Sequence, residues 1–184
     1  MTFKTLSRIG VLFVLTTSGL SASAINAQEL SEPAPLVQRN RAQLTLEGAE
    51  LILKGSKLKA TAMGKKVNIA IVDDGGHPLS FARMNEARPA SAYTALAKAI
   101  SAATTRTATG PVKGPDGEPD ILLNLSLQNA ARETGGHFTT LYGGLPIVVD
   151  GQVIGAVGVG GSPAGEDDAA IAKAGIEAFM NKLK

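Results

Sequence analysis

Apolar residues recur every three or four positions in four stretches of the chain, which is the spacing of amphipathic helices. Thr45 is a good N-terminal cap for the first helix, which ends at Gly64. Ser91 opens the second helix, Asp120 caps a short third one, and the last runs from Ala164 to Leu183. The apolar positions that define these helices are, in chain order, Leu46, Ala49, Leu53, Ala60 and Met63; Ala92, Ala95, Leu96, Ala99, Ile100 and Ala103; Leu123, Leu127 and Ala131; and Ile171, Ala174, Ala178 and Phe179.

Shorter stretches rich in Val and Ile predict strands. Residues 67–72 and 78–84 flank an Asp-Asp-Gly-Gly turn, and residues 146–149 and 152–159 flank Asp150-Gly151, the dipeptide that favours a two-residue hairpin turn. A further strand is predicted over His137 to Leu141, directly before this second hairpin. Gly155 and Gly158 would let another backbone or a flat ligand approach the hairpin closely. Hairpins with helices at intervals predict an α+β fold with a mostly antiparallel sheet.

The two ends of the prospective domain have different compositions. Residues 1–24 carry Lys4 and Arg8, then a short apolar run, then Ala-Ser-Ala, which is the pattern of a secretory signal peptide cleaved after Ala24 or Ala27. The apolar run is much shorter than the roughly 20 residues of a membrane span. Residues 25–43 contain prolines and polar residues without periodicity, which predicts a linker or disordered arm before a domain at 44–184. We therefore expect a periplasmic or secreted protein.

Charge and composition exclude several classes of protein. Without residues 1–24 the formal net charge falls from +2 to zero, and no run of Lys or Arg remains, so the basic patch of a nucleic-acid binder is missing. The chain has no cysteine, which excludes disulfides and thiolate chemistry. It has no tryptophan and is rich in Ala, Gly and Val, so its core must be built from small residues at close spacing. Residues 109–119 are rich in Gly and Pro and predict a surface excursion.

A glycine loop follows the second hairpin and leads into Glu166, Asp167 and Asp168. A glycine loop before a helix can bind phosphate, but the third glycine of the dinucleotide motif is missing and the acids would repel an anion. These acids either complement the dipole of the last helix or bind a cation such as iron through their oxygens. Ser162 does not stand in the G-x-S-x-G context of a serine hydrolase.

The chain has two histidines, His77 and His137, and each follows a Gly-Gly pair. An imidazole on a glycine turn is accessible, so either histidine is a candidate ligand for haem iron or another metal, or else a turn residue that faces water. Phe138 and Tyr142 follow His137 and could contact a flat apolar ligand, as could Lys98, which we expect to lie off the inner face of the second helix.

Three segments of the chain form a recognisable combination: VNIAIVDDGGHPLSFARM at 67–84, YTALAKAISAATTRT at 93–107, and GGLPIVVDGQVIGAVGVGG at 143–161, the last followed by the acidic helix start. In this order and separation they resemble the GlcG/HbpS family of haem-binding proteins. The resemblance spans about 44–179 and implies a profilin-like α/β/α layer fold with a central antiparallel sheet and assembly into homo-oligomers. It also implies haem as a ligand, with degradation of haem in some members.

These observations lead to two hypotheses of different classes. In the first, an exported protein sequesters, senses or slowly degrades haem, with His137 as the ligand to iron and the porphyrin against the glycine-rich hairpin. In the second, the protein is a non-enzymatic oligomeric binding module for a corrinoid or another small organic ligand, and both histidines are structural.

Overall fold

The computed structural model describes residue 37, residues 41–133 and residues 135–183. The predicted signal peptide and nearly all of the predicted linker lie outside the described residues. The elements are α1 (Leu46–Ala62), β1 (Asn68–Asp73), β2 (Pro78–Arg83), α2 (Ser91–Thr105), α3 (Ile121–Glu133), β3 (Gly144–Val149), β4 (Gln152–Gly160) and α4 (Gly165–Leu183). No helix within the described ranges is long and apolar enough to cross a membrane.

The four strands form one antiparallel sheet in the order β2-β1-β4-β3. β1 and β4 are its central pair, aligned from Asn68 opposite Gly160 to Asp73 opposite Gly155. The β3–β4 hairpin turns at Asp150 and Gly151, whose φ angles are 48° and 73°, so the Asp-Gly prediction is confirmed.

Helices cover both faces of the sheet, which confirms the α+β, three-layer prediction. α1 and α4 pack against one face with large aliphatic side chains such as Ile52, Ile69 and Ile171. α2 packs against the other face through alanines such as Ala95 and Ala99. The predicted N-terminal cap of α1 is present, since the Thr45 hydroxyl accepts a hydrogen bond from the backbone of α1. Leu46, predicted to face inward, is instead 50% exposed.

The glycines of β4 serve the contact between α2 and the sheet. A Cβ atom at Gly158 would lie 2.0 Å from the carbonyl oxygen of Ala95, and one at Gly160 would lie 2.8 Å from that of Ser91. At the start of β3, a Cβ atom at Gly144 would meet the carbonyl oxygen of Lys98. The backbone of α2 therefore occupies the glycine surface, and the expectation that a porphyrin lies on it is wrong.

The segment His137 to Leu141 is irregular, so the predicted strand there is wrong. Its backbone bonds to a side chain of α2 rather than to a neighbouring strand: the amide of Thr139 donates to the Ser101 hydroxyl at 2.9 Å, and that hydroxyl reaches the carbonyl of His137 at 3.3 Å. β-branched residues suit a strand, but the tertiary contact decides the conformation.

The Gly- and Pro-rich excursion is held against α3 by one buried side chain. The Asn124 amide accepts a hydrogen bond from the backbone of Val112 at 2.9 Å and donates one to the carbonyl of Val112 at 2.8 Å. Asp120 caps α3 as predicted, because its carboxylate accepts from the amide of Leu123 at 2.9 Å. Asn124 is the buried residue of α3, whereas the isoleucine and the leucines of this helix are exposed.

Candidate functional site

A cavity of about 300 Å³ lies between α2, α3 and the segment that follows α3. Ala97 forms the α2 side, and Gln128, Asn129 and Arg132 form a polar wall on α3. The remaining lining residues are Gly136, His137 and Phe138. The cavity therefore brings together two predicted site residues, His137 and Phe138, with a guanidinium group that the sequence analysis did not single out.

Hydrogen bonds from both helices hold the segment beside His137, those from α2 through its backbone and one from α3 through a side chain. Ser101 on α2 bonds to the backbone on both sides of Phe138, and the Gln128 amide on α3 reaches the Thr140 hydroxyl at 3.3 Å. Gly135 ends α3 in the left-handed conformation, with φ of 75°. His137 itself is an exposed residue, so the fold holds the backbone of this segment while leaving His137 accessible.

A second cavity of about 330 Å³ shares Phe138 with the first. Its lining includes Leu127 of α3, Pro111 and Val112 of the excursion, and Thr105 at the end of α2. Thr109 closes it toward the sheet, because its hydroxyl donates to the carbonyl of Leu141 at 2.6 Å and accepts from the amide of Gly144 at 2.8 Å. Phe138 thus lines two cavities that both border α3.

The residues around His137 fit one edge of a haem. A neutral imidazole is an iron ligand, the Phe138 ring offers an apolar flat contact, and Arg132 can pair with a carboxylate. The volume is at the lower end of the ~300–1,000 Å³ typical of pockets that enclose a small ligand. The cavity can therefore bind part of a porphyrin, and the rest of the ring would extend beyond the described walls.

His77 and Tyr142 lie outside this cavity. His77 is in the β1–β2 turn with its side chain 82% exposed, and its Nδ1 is 3.3 Å from a carboxylate oxygen of Asp73. Tyr142 is 44% exposed and packs against Gly110 and Gly165. The structure therefore does not bring either residue together with His137, although adjacency in sequence suggested it for Tyr142.

Lys98 is buried rather than displayed, so the expectation that it lies off the inner face of α2 is wrong. Its ammonium group donates to the carbonyl of Val159 at 2.7 Å and to a carboxylate oxygen of Asp168 at 2.9 Å. The amide of Ser162 donates to the other oxygen of Asp168 at 3.1 Å. Burial raises the pKa of Asp168, and the hydrogen bond from Lys98 opposes that shift. This pair joins α2, the end of β4 and the start of α4.

The other predicted acids lie at the start of α4, apart from the cavity. Glu166 is exposed, whereas Asp167 bonds to Lys65 at 2.7 Å and accepts from the Ser162 hydroxyl at 2.9 Å. These two contacts, the Lys65 hydrogen bond first, lower the pKa of Asp167. No group of three His, Cys, Asp or Glu side chains that could hold a metal ion occurs among the residues that the structure describes. The cation site predicted at Glu166 and Asp167, and the separate prediction of His137 as a metal ligand, stay predictions.

Sequence reasoning missed Arg132, Asn129 and the buried pairing of Asp168 with Lys98. Asp168 carried a usable signal, because it precedes Ile171 by three residues and therefore lies on the buried face of α4, where an acid needs a partner. Arg132 and Asn129 carried no comparable signal. They reach the cavity because α3 packs beside the segment 136–140, which the pattern of the sequence does not specify.

Comparison with known proteins identifies relatives over this whole region. The family model described as haem degrading protein HbpS-like matches residues 44–177. Protein GlcG of Escherichia coli strain K12 is 38% identical over 116 residues, which are 63% of this chain and 80% of GlcG. The crystal structure of Klebsiella pneumoniae protein ORFY is 31% identical with a TM-score of 0.66, covering 80% of this chain and 98% of ORFY. The crystal structure of a PduOC–haem complex is 26% identical with a TM-score of 0.62, covering 74% of this chain and 95% of PduOC.

Proposed function

Because this chain belongs to the HbpS-like family of haem-degrading proteins, we propose that it binds haem and that His137 is the ligand to the iron. The observation that carries the proposal is the grouping of an accessible imidazole, an aromatic ring and a guanidinium in one cavity, at His137, Phe138 and Arg132. The match to a structure that contains haem supports the choice of ligand.

Each of these residues has a separate task in the proposed site. Bound haem supplies the redox chemistry of its iron. His137 holds the iron through a ring nitrogen, and the hydrogen bonds of Ser101 to the adjacent backbone fix the direction of approach. Phe138 excludes water from one edge of the ring, and Arg132 pairs with a propionate.

The proposed biological role extends the sequence predictions. We propose that the protein is exported by its N-terminal signal and that it sequesters, senses or slowly degrades haem outside the cytoplasm. Adding a reductant and oxygen to the purified haem complex separates these roles. A Soret band that decays faster than that of free haemin supports degradation, and one that decays no faster supports sequestration or sensing.

Titration with haemin tests the ligand and the axial residue together. The wild-type protein should give a saturable Soret shift. His137→Ala should weaken binding by ~10-fold or more, the scale on which groups around a metal affect its affinity. His77→Ala is the matched control, because it removes the other Gly-Gly-His imidazole from an exposed turn outside the cavity and should leave binding unchanged.

The titration also identifies the outcomes that contradict the proposal. Equal haemin affinity of the wild type and His137→Ala would refute the role of His137. A protein that gives no saturable shift with haemin, yet does so with a corrinoid, would support the alternative binding module. Arg132→Gln should weaken haemin binding by up to ~5-fold, as expected for loss of one exposed ion pair.

A further inference from the structure

The loop between β2 and α2 encloses a cavity of about 450 Å³, which is larger than the His137 cavity of about 300 Å³. The lining residues are consecutive and run from Arg83, the last residue of β2, to Pro89, just before α2. None of them lines the His137 cavity. The volume falls within the ~300–1,000 Å³ typical of small-molecule sites, so this loop can hold a small ligand of its own.

Two exposed arginines, Arg83 and Arg88, belong to the lining of this loop cavity. Among the residues that the structure describes, neither arginine forms an ion pair, and the Arg83 guanidinium makes no hydrogen bond. A guanidinium without a protein partner keeps its N–H donors for a ligand, and its planar fork matches two oxygens of a carboxylate or phosphate. The cavity therefore contains the groups that recognise an oxyanion.

Buried neighbours hold Arg88 in position. Its Nε donates to the hydroxyl of Ser91 at 2.9 Å, and Ser91 is only 2% exposed. The side-chain amide of Asn68, which is buried in β1, donates to the carbonyl of Arg88 at 3.1 Å. Within the described residues the Nη donors of Arg88 have no other partner, so they are available and already oriented, which lowers the entropy lost on binding.

The register of the sheet brings Arg83 to the same place. Arg83 stands directly opposite Asn68 in the β1–β2 pair, so the two side chains lie on the same face of the sheet. Asn68 precedes Ala70 by two residues, and Ala70 packs in the alanine layer under α2. Arg83 therefore lies on the α2 side of the sheet, beside the buried amide that holds the backbone of Arg88.

The charges of the cavity favour an anion of low charge. Arg83, Arg88 and Glu86 are the charged residues of the lining, so its formal charge is 2 − 1 = +1. The first turn of α2 contains no acidic residue, and no side chain of the described chain caps this helix at Ala90. The start of α2 therefore adds positive potential beside the cavity, whereas the Glu86 carboxylate disfavours a ligand with several negative charges.

A strained residue stands at the centre of this loop. The amide of Ala87 donates to the carbonyl of Met84 at 3.0 Å, which closes a tight turn around Asn85 and Glu86. Glu86 has a φ angle of 67°, in the left-handed region that residues with a Cβ atom rarely adopt. Strain of this kind is concentrated at ligand sites, where it gives the backbone a shape that an unstrained turn would not have.

We propose that the loop between β2 and α2 binds a small organic anion, whose carboxylate or phosphate group is held by Arg83 and Arg88. Each guanidinium donates hydrogen bonds to the oxyanion, and Met84 and Pro89 contact the carbon skeleton of the ligand. This site goes beyond the proposed haem site, because the two cavities share no lining residue.

Chemical-shift titration of the ¹⁵N-labelled, haem-free protein tests the site with two probes, sodium acetate and sodium phosphate. Both titrations use Tris buffer at an ionic strength held constant with sodium chloride. At least one probe should give saturable shifts of the amides of residues 83–91, with a Kd of ~1–10 mM, as expected for a small ion held by exposed charge-assisted hydrogen bonds. The probe that binds more tightly identifies the group as a carboxylate or a phosphate.

Substitutions of single arginines identify the residues that bind the probe. Arg83→Gln and Arg88→Gln should each weaken binding by about 5-fold, the upper range for one exposed ion pair. Arg106→Gln is the matched control, because it removes the same charge at the other end of α2 and should leave the affinity unchanged. Glu86→Gln should tighten binding by ~2-fold or more, since it removes a like charge from the lining.

The variant of Arg83 makes this test decisive. The Arg83 guanidinium makes no hydrogen bond within the described chain, so Arg83→Gln should stay folded by circular dichroism. Equal affinity of Arg83→Gln, Arg88→Gln and the wild type would overturn the proposal. The absence of saturable shifts with both probes up to ~100 mM, or shifts confined to residues outside 83–91, would overturn it as well.

Haemin titration of the same variants keeps this site separate from the proposed function. Arg83→Gln and Arg88→Gln should bind haemin as tightly as the wild type, because neither residue lines the His137 cavity. Weaker haemin binding by both variants would refute a separate anion site while haem binding stands. If His137→Ala leaves haemin binding unchanged but residues 83–91 still respond to a probe, the proposed iron ligand fails and the anion site stands.

Discussion

Replacing Lys98 with methionine tests the contact that joins α2 to the start of α4. The Lys98 ammonium lies 2.9 Å from the Asp168 carboxylate, and the two side chains are only 5% and 2% exposed. Methionine keeps the unbranched shape and nearly the volume of lysine. The substitution therefore removes the charge and two hydrogen bonds while leaving the packing of α2 largely unchanged.

The magnitude follows from the burial of both charges. At 2.9 Å and an effective permittivity of about 20, the attraction between Lys98 and Asp168 is about 6 kcal/mol. Desolvation costs several kcal/mol for each ion, so the intact pair contributes little net stability. Lys98→Met removes the attraction but leaves Asp168 buried, and it should lower the free energy of unfolding by about 3–5 kcal/mol at pH 8.

The penalty should depend on pH, because Asp168 can take up a proton. Burial already raises the pKa of Asp168, and losing Lys98 removes the main group that opposes this shift. Between the ordinary pKa and the raised one, the folded state holds a proton that the unfolded chain has released. Stability of the variant should therefore fall as the pH rises through this window and be greater at pH 5 than at pH 8.

Urea unfolding followed by circular dichroism measures these differences. Lys98→Met/Asp168→Asn should recover most of the lost stability, because it removes the second charge as well. Lys173→Met is the control for loss of an exposed lysine, since Lys173 is 72% exposed and only 3.7 Å from Glu177, and it should change stability by less than ~0.5 kcal/mol. A cost below ~1 kcal/mol for Lys98→Met, or a double variant as unstable as the summed single variants, would refute the reasoning.

Two further substitutions test other contacts. Gly158→Ala should destabilise the protein by ~3 kcal/mol or more in the same urea assay, because its Cβ would lie 2.0 Å from a backbone oxygen of α2. Gly136→Ala is the control that should be tolerated, since the nearest atom to its Cβ would be 3.4 Å away. Equal stability of the two variants would contradict the packing argument. The pKa of Asp167 is lower in the folded protein than its ordinary value of 3.8, so the ionised carboxylate stabilises the fold above pH 3.8, and this stabilisation is lost as the pH falls through the pKa of the folded state. Lys65→Met should therefore make the free energy of unfolding fall less steeply as the pH is lowered through this range. An unchanged pH dependence would exclude this contribution.

Local pattern was sufficient for most of the secondary structure. Helical spacing located α1, α2 and α4, and Asp150-Gly151 located the β3–β4 turn, because these signals depend on neighbours a few residues apart. The strand predicted over 137–141 failed for the opposite reason. Its conformation is determined by the hydrogen bonds of Ser101, which stands 36 residues earlier than His137.

The sequence by itself determined the layered α+β fold, the resemblance to haem-binding proteins and the candidacy of His137 and Phe138. Only the tertiary structure decided what surrounds them. It placed Arg132 beside His137, separated Tyr142 from both, and buried Lys98 against Asp168 across 70 residues of chain. Helical and strand periods report which face of an element is apolar, whereas the partner of a polar side chain depends on how distant elements pack, and that contact appears only in the folded chain.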